Sequence, residues 1–416
     1  MNEVATIDSG STAWMLASSA MVLLMVPGLA LFYGGMVRRK NVLTTMMMSF
    51  VAMAIIGVQW VLFGYGLAFG QSLGGWLGWS SELWGLAGLP HTRLYADKAI
   101  PELVFVMFQG KFAIITPALI SGAVAERMKF RSYVIFIFLW ATFIYCPLAH
   151  WVWASEGWLC KLGVLDFAGG TVVHIAAGIS ALVLALLIGP RRDVQRGQPV
   201  LPNNLVLTLT GAGLLWFGWF GFNAGSAVAV EHPVAGGVAG LAFTTTQSAA
   251  AAAGLMWMLV ERWHHGKMTS LGLASGIVAG LVAVTPAAGH IHPWAALLLG
   301  ALASLVCYWA VQLKTRLGYD DSLDAFGVHG VGGILGALLT GVFCFTPVAG
   351  ALSGDFTQLG KQAIGVLVAL VFAGLGTLVL GLGLKWTVGL RTTEAAEREG
   401  LDLHVHGERG YHFDQT

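Results

Sequence analysis

The chain has 416 residues, of which 56% are hydrophobic and only 10% charged, and its formal net charge is +1. So little polar surface cannot cover a soluble globule on all sides, which excludes an ordinary water-soluble domain. The near-zero charge, with no basic cluster outside the short loops between apolar runs, excludes nucleic acid as a partner. Four scattered cysteines without a CxxC spacing indicate neither a disulfide framework nor a metal site, and we expect no cofactor.

Apolar runs long enough to cross a bilayer recur along the whole chain. A membrane helix needs ~20 mostly apolar residues, and the segment before the first run lacks the basic residues of a cleaved signal peptide. We therefore predict an all-α polytopic membrane protein with eleven transmembrane helices, at residues 12–33, 42–69, 101–124, 133–153, 168–189, 203–224, 235–260, 270–288, 293–314, 325–344 and 362–388. Residues 1–390 form the predicted transmembrane domain, and 391–416 a polar C-terminal tail.

Basic residues are concentrated in the loops after the odd-numbered spans. Those loops hold Arg38, Arg39, Lys40, Arg127, Lys129, Arg131, Arg191, Arg192, Arg196, Arg262, Lys267, Lys314 and Arg316. Loops rich in Lys and Arg stay in the cytoplasm. The pattern therefore predicts a multi-pass cell-membrane protein with its N-terminus outside and its C-terminus in the cytoplasm.

Two segments of the chain share one spacing. Asp166 stands eight residues before His174, and Asp321 stands eight residues before His329, each in a Gly-rich stretch that opens a span. These are spans five and ten, the matching places in two five-helix repeats at about 12–190 and 203–345. Because five is odd, the second repeat must be inverted, and the span at 362–388 is left as a final helix.

His174 and His329 are ionisable residues within predicted spans, and such residues are candidates for function. The alternative is that each is a core histidine whose ring is satisfied by a backbone carbonyl. Desolvation disfavours the charged ring, so both should be mostly neutral, with one nitrogen that donates and one that accepts. Such a pair can pass a proton or hold a small polar molecule, but it does not stabilise a bare cation.

Aromatic residues mark the outer ends of spans three, four and six. Phe112, Trp153 and Phe222 lie there, with Ser226 one turn after Phe222. Taken singly, such residues are commonly members of the interfacial aromatic belt. If they converge, cation–π attraction of roughly 0.5 to 2 kcal/mol per ring, together with a serine hydroxyl, would collect a small ammonium ion.

Five longer motifs carry a family resemblance. They are MVPGLALFYGGMVR at 25–38, GAVAER at 122–127, DFAGGTVVH at 166–174, WFGFNAGS at 219–226 and DAFGVHG at 324–330. Their order and distribution closely resemble the ammonium transporter (Amt/Mep/Rh) family, on its bacterial Amt side. The resemblance extends from about residue 12 to EGLD at 399–402 and HGE at 406–408 in the tail.

The resemblance implies a homotrimer with one pore per subunit, which transports ammonium or methylammonium. It places Trp153, Phe112, Phe222 and Ser226 in an external ammonium site, and Phe112 and Phe222 also in a gate. The pore residues it implies are His174, His329, Phe112, Phe222 and Trp219. Asp166 becomes a buried carboxylate that supports the external site, and we expect it to cap span five rather than to contact substrate.

The family's usual account is that captured ammonium loses its proton near the gate and crosses as ammonia. Lys111, directly before the presumed gate residue Phe112, and Glu156, near the mouth, depart from the family pattern. Relatives bind a PII-type signalling protein at the cytoplasmic face, which makes such a protein a partner by resemblance alone.

Two other functions compete with transport. An ammonium sensor with little conduction shares the same site, although the chain carries no kinase or other effector domain. An intramembrane enzyme lacks support, because the sequence contains neither HExxH nor GxSxG.

Overall fold

The computed structural model describes residues 6–96, 98–228 and 233–411. Within them the chain forms eleven helical segments of 15 residues or more, nine of which are long and apolar enough to cross a membrane. These are α1 (Ser9–Met36), α2 (Arg39–Phe69), α3 (Glu102–Val124), α4 (Phe130–Leu162), α5 (Gly170–Ile188), α6 (Leu205–Ala227), α7 (Pro233–His265), α8 (Ser270–Val284), α9 (Pro293–Leu317), α10 (Phe326–Phe343) and α11 (Thr357–Thr387). The predicted all-α polytopic fold is confirmed.

Shorter elements connect the long helices. Two strands, β1 (Ser72–Leu73) and β2 (Leu77–Gly78), form an antiparallel hairpin after α2. Short helical turns occur at Ser81–Leu86, Arg192–Gln195, Ala351–Ser353, Glu394–Glu399 and Asp402–His406. We call the end of the bundle with the hairpin the hairpin side, and the end with the C-terminal turns the tail side. The last five residues of the predicted tail, 412–416, lie outside the described residues.

Helix ends differ from the predicted ones where local chemistry overrides hydropathy. Helix α8 ends at Val284 rather than at residue 288, because Pro286 follows closely and has no amide N–H to continue the helical hydrogen bonds. Helix α11 begins at Thr357 rather than at residue 362, since its first turn is polar and adds nothing to the apolar run. Asp355 accepts a hydrogen bond from the Thr357 amide at this start.

Helices α5 and α10 cross at the centre of the bundle with almost no space between their backbones. A Cβ on Gly178 would lie 2.2 Å from the Gly330 nitrogen. A Cβ on Gly333 would lie 3.1 Å from both the Gly170 oxygen and the His174 Cβ. Gly178 follows His174 by four residues, and Gly333 follows His329 by four. The close crossing, which small residues permit, therefore brings the two histidine-bearing turns together.

A buried ion network joins the loops on the tail side. Glu126 accepts hydrogen bonds from the Arg38 amide and Nε and from Asn41 and Arg191, and Arg191 also pairs with Asp320 at 2.8 Å. Burial opposes ionisation of both acids, but the neighbouring arginines and their hydrogen bonds hold the pKa of Glu126 and of Asp320 at about 2. The network therefore fixes the loops after α1, α3, α5 and α9 to one another.

The C-terminal segment is packed onto this network. Arg391 pairs with Glu397 at 2.8 Å, and the Arg192 amide donates to Glu397. Further along, Asp402 accepts hydrogen bonds from the Leu43 and Thr44 amides at the start of α2. The tail thus contacts two loops on the tail side through charged groups.

Candidate functional site

Three aromatic side chains from three helices meet near the hairpin side. The rings of Phe112 (α3) and Phe222 (α6) stack with centroids 4.1 Å apart and an interplanar angle of 26°. The Trp153 ring stands nearly perpendicular to Phe112, at 86° and 6.0 Å. Phe112 and Phe222 are fully buried, whereas Trp153 is partly exposed. The arrangement is an aromatic wall at the mouth, above a stacked pair that closes the way inward.

Ser226 lies one turn beyond Phe222, at the end of α6. Its hydroxyl donates to the Phe222 carbonyl at 2.9 Å and is partly exposed. This bond occupies the hydroxyl proton and leaves the oxygen lone pairs as acceptors for a donor such as an ammonium N–H.

Asp166 acts on the backbone at the start of α5. Its carboxylate accepts from the amides of Gly169, Gly170, Thr171 and Val172 and from the Thr171 hydroxyl. Its own carbonyl accepts from the Trp153 Nε1 at 2.9 Å. The side chain therefore satisfies the unpaired amides of the first turn, as a helix-capping residue does, and the backbone of the same residue orients the indole.

The two histidines lie directly beneath the stacked phenylalanines. The Nδ1 atoms of His174 and His329 are 3.3 Å apart, so one donates a hydrogen bond to the other. The rings are inclined by only 18°, and the Trp219 ring stacks on His174 at 5.4 Å. Within the described residues, the Nε2 atom of His174 has no hydrogen-bond partner. That nitrogen is therefore free to bond a molecule in the passage.

Narrow cavities lie above and below the histidine pair. The upper one has a volume of about 10 Å³, room for roughly one water-sized molecule. Apart from the histidines its lining is apolar or aromatic: Met25, Leu29, Phe32, Ile115, Leu119, Val173, Leu215, Trp219, Phe222 and Val278. The lower one continues to Asp324 on the tail side. Such a passage offers a bare cation few ligands in exchange for its hydration shell.

The two departures from the family pattern have simple surroundings. Glu156 is exposed and pairs with Lys161 at 2.6 Å, so its charge at the mouth is largely offset. Lys111 is half-buried on α3, and no ion pair involves it among the residues with described side chains. Neither side chain lines either cavity in the histidine passage.

Several contributing residues were missed by sequence reasoning. Thr285 accepts a hydrogen bond from the Trp219 Nε1 at 2.9 Å and fixes the indole against His174. Asp324 lines the lower cavity, and Lys314 pairs with it. The apolar lining residues resemble any other core residue in sequence, whereas the spacing of Asp324, five residues before His329, was a usable signal.

The model of the Ammonium Transporter Family matches residues 13–411. The ammonium transporter of Mycobacterium bovis is 50% identical over 98% of this chain and 91% of its own length. The crystal structure of Saccharomyces cerevisiae Mep2 has a TM-score of 0.85 at 36% identity, covering 94% of this chain and 89% of that one. A structure described as a Sensor Amt Protein has a TM-score of 0.86 at 31% identity, covering 95% and 98%. With its polytopic helical fold and its central passage, the chain belongs to the ammonium transporter family.

Proposed function

We propose that this transporter captures ammonium at Trp153, Phe112, Phe222 and Ser226 on the hairpin side, where the ion gives up one proton to water at the partly exposed mouth. The ammonia that remains then passes between His174 and His329. The observation that carries the proposal is the unbroken series of rings from Trp153 to the two histidines, which ends in a cavity for one small molecule. Each ring that faces the cation contributes roughly 0.5 to 2 kcal/mol of attraction, and the lone pairs of Ser226 accept an N–H.

Selectivity in this proposal comes from chemistry rather than from size. Ammonium and potassium have similar radii, so a filter that measures size alone passes both. Only ammonium can release a proton and continue as a neutral molecule, for which an apolar passage is no barrier. The paired histidines then give the neutral molecule hydrogen bonds that the apolar lining lacks.

We place the hairpin side outside the cell and the tail side in the cytoplasm, because basic residues are concentrated in the tail-side loops. We further propose, from family membership, a homotrimer with a separate passage in each subunit. A PII-type signalling protein is the partner we propose for the tail side, where the charged loops and the C-terminal turns meet. Native mass spectrometry of the purified protein measures the number of subunits directly.

The capture site is tested by Trp153→Leu. We expect the half-saturating concentrations of ammonium and of methylammonium to rise about threefold to thirtyfold, which corresponds to ~0.7 to 2 kcal/mol of lost attraction. Currents recorded on solid-supported membranes after ammonium pulses give this concentration dependence. The matched control is Trp79→Leu, which removes an exposed indole on the same side. Unchanged concentration dependence in Trp153→Leu would remove Trp153 from the site.

The similarity to a protein described as a sensor favours one second candidate function, namely binding of ammonium with little conduction. Liposome flux separates the two. A transporter carries many ammonium ions per protein during sustained uptake, whereas a sensor takes up at most about one per site.

A further inference from the structure

Trp153 stands at the end of a helix. It is the last residue of the eight-residue helix Cys146–Trp153 within α4, and Ala154 after it is extended. The last carbonyls of a helix have no partner within it, so a helix end stays in place only when other groups hold it. The bond from Trp153 to the Asp166 carbonyl is one such tether, on the side of the passage.

His150, one turn before Trp153, supplies a second tether, to the end of α2 and to the hairpin. Its ring is fully buried, with Nδ1 2.8 Å from the Ala68 carbonyl and Nε2 2.8 Å from the Ser72 hydroxyl. Because a carbonyl only accepts, Nδ1 carries the proton, and Nε2 of the neutral ring accepts from Ser72. The Ser72 oxygen in turn accepts from the Gly75 amide at 3.0 Å. In this series of hydrogen bonds, each group is therefore fixed as a donor or an acceptor in each bond.

The hairpin also contacts the same helix end through Trp151 and Trp158. Trp151 donates from Nε1 to the Trp76 carbonyl at 2.7 Å, and the two indoles meet edge to face at 5.5 Å. Beyond the helix end, the Trp158 amide donates to the Gly75 carbonyl at 3.3 Å. The tip of the hairpin is thus attached both to the last turn of the helix and to the loop that follows it.

We propose that the hairpin at residues 72–78 and His150 form a clamp that holds Trp153 at its position over Phe112, and so sets the affinity for the captured cation. His150 and Ser72 are positioning residues in this proposal, since their contacts are with each other, with Ala68 and with Gly75 rather than with the aromatic site. The proposal rests on the proposed function, because it requires Trp153 to meet the cation.

Ser72→Ala removes the hydroxyl that His150 needs and leaves the histidine in place. We expect the half-saturating ammonium concentration to rise about threefold to tenfold, as for a lost buried hydrogen bond, with the maximal current within about twofold of the unmodified protein. Ser72→Thr keeps a hydroxyl and should restore the affinity. The matched control is Ser80→Ala, because among the described residues the Ser80 hydroxyl accepts from the Gln71 amide of the same loop and has no bond to His150.

A second experiment tests whether the clamp acts through the Trp153 indole. In a Trp153→Leu background, Ser72→Ala should cause no further change, since residues that act through one group are not additive. An additive effect there, or equal behaviour of Ser72→Ala and Ser80→Ala, overturns the clamp. If Trp153→Leu alone leaves the half-saturating concentration unchanged, the capture site fails. If Trp153→Leu raises the half-saturating concentration but Ser72→Ala leaves it unchanged, the clamp fails and the capture site stands.

Discussion

The segments 166–174 and 321–329 are two copies of one backbone device with different electrostatics. In each, an aspartate caps a π-helical turn that carries the histidine, at Gly170–Ile175 and at Phe326–Gly330. In each, the residue five places before the histidine has a left-handed backbone, with φ of 118° at Gly169 and 62° at Asp324. The shared geometry explains why the two imidazoles meet across the crossing of α5 and α10.

The residue at the left-handed position distinguishes the two copies. A Cβ on Gly169 would lie 2.5 Å from Val173 Cγ2, so any larger residue there would clash with Val173, whereas the Trp153 ring at 3.4 Å is in ordinary contact. In the other copy the position is Asp324, whose carboxylate pairs with Lys314. Asp166 has five neutral donors and no basic partner among the residues with described side chains, whereas Asp321 has two amide donors and lies beside this ion pair.

The two ends of the passage differ in the charges that surround the capping aspartate. On the hairpin side the field of the Asp166 carboxylate is not offset by a resident cation, which suits a mouth that attracts ammonium. On the tail side Lys314 lies beside Asp321 and pairs with Asp324, so a cationic side chain is already present there. The two ends are therefore equivalent in backbone but differ in whether a basic side chain lies beside the capping aspartate.

We expect the largest effect from removing the histidine that each of the two segments carries. Replacing both His174 and His329 with alanine widens and wets the passage, so we expect discrimination against potassium to fall at least about tenfold, or ~1.4 kcal/mol of barrier. Currents after ammonium and potassium pulses in proteoliposomes measure it. The double variant His91→Ala/His292→Ala, at exposed positions, is the control. Full transport together with full discrimination in the test variant would contradict the proposed passage.

We expect the next largest effect from replacing the capping aspartates, and the two replacements should differ in size. Asp166→Asn removes the charge and leaves several of five donors unpaired, at a cost of about 1–3 kcal/mol for each buried group, so we expect ammonium currents to fall at least tenfold. Asp321→Asn affects only two amide donors beside an ion pair that remains, and we expect a loss within about threefold. Size-exclusion profiles establish that both variants are folded. Equal losses would show that the charge difference between the two ends has no role in transport.

The sequence predicted the parts of this comparison that depend on local pattern. The eight-residue spacing indicated two equivalent segments, and hydropathy located the helices that carry them. The sequence also placed the two histidines within hydrogen-bonding reach of each other, and the structure has this contact. The ring nitrogens that form it, the support of Trp219 by Thr285 and the pair of Lys314 with Asp324 were not predictable in this way. They join residues that are far apart in the chain or depend on the packing of other helices. Helix α8 ended early because of Pro286, a local signal that the hydropathy of the run outweighed.

A third prediction concerns the tail-side aspartate and pH. Burial raises the pKa of Asp321 to about 6, although Lys314 acts against this and Asp324 adds to it. A carboxyl group whose pKa is raised on folding favours the folded state below its ordinary pKa, and this contribution is lost as pH rises through the raised value. Between about pH 4 and 6 we therefore expect the unmodified protein to lose up to ~3 kcal/mol relative to Asp321→Asn.

Thermal unfolding of the detergent-solubilised protein across this range measures the difference. Glu126 and Asp320, whose pKa values lie at about 2, act in the opposite sense and at lower pH, where stability falls as pH falls. Their contribution is common to both proteins. Parallel pH profiles for the unmodified protein and Asp321→Asn would show that Asp321 does not titrate in this range.

The smallest expected effect tests the symmetry of the crossing itself. Gly178→Ala would place a methyl group 2.2 Å from the backbone of Gly330, and neither helix can move without shifting a histidine, so we expect a loss of about 1–3 kcal/mol of stability and a weakened ammonium current. At the equivalent position, Gly333→Ala meets its neighbours at 3.1 Å, a contact that a shift of a few tenths of an ångström relieves, and the loss should stay below ~1 kcal/mol. Gly383→Ala on α11 controls for the substitution alone, because no atom of another described segment lies within 4 Å of the added carbon. If Gly178→Ala and Gly333→Ala are equally tolerated, the crossing is looser than its backbone distances imply. The contact between the histidines would then depend on their own hydrogen bond rather than on the helices that carry them.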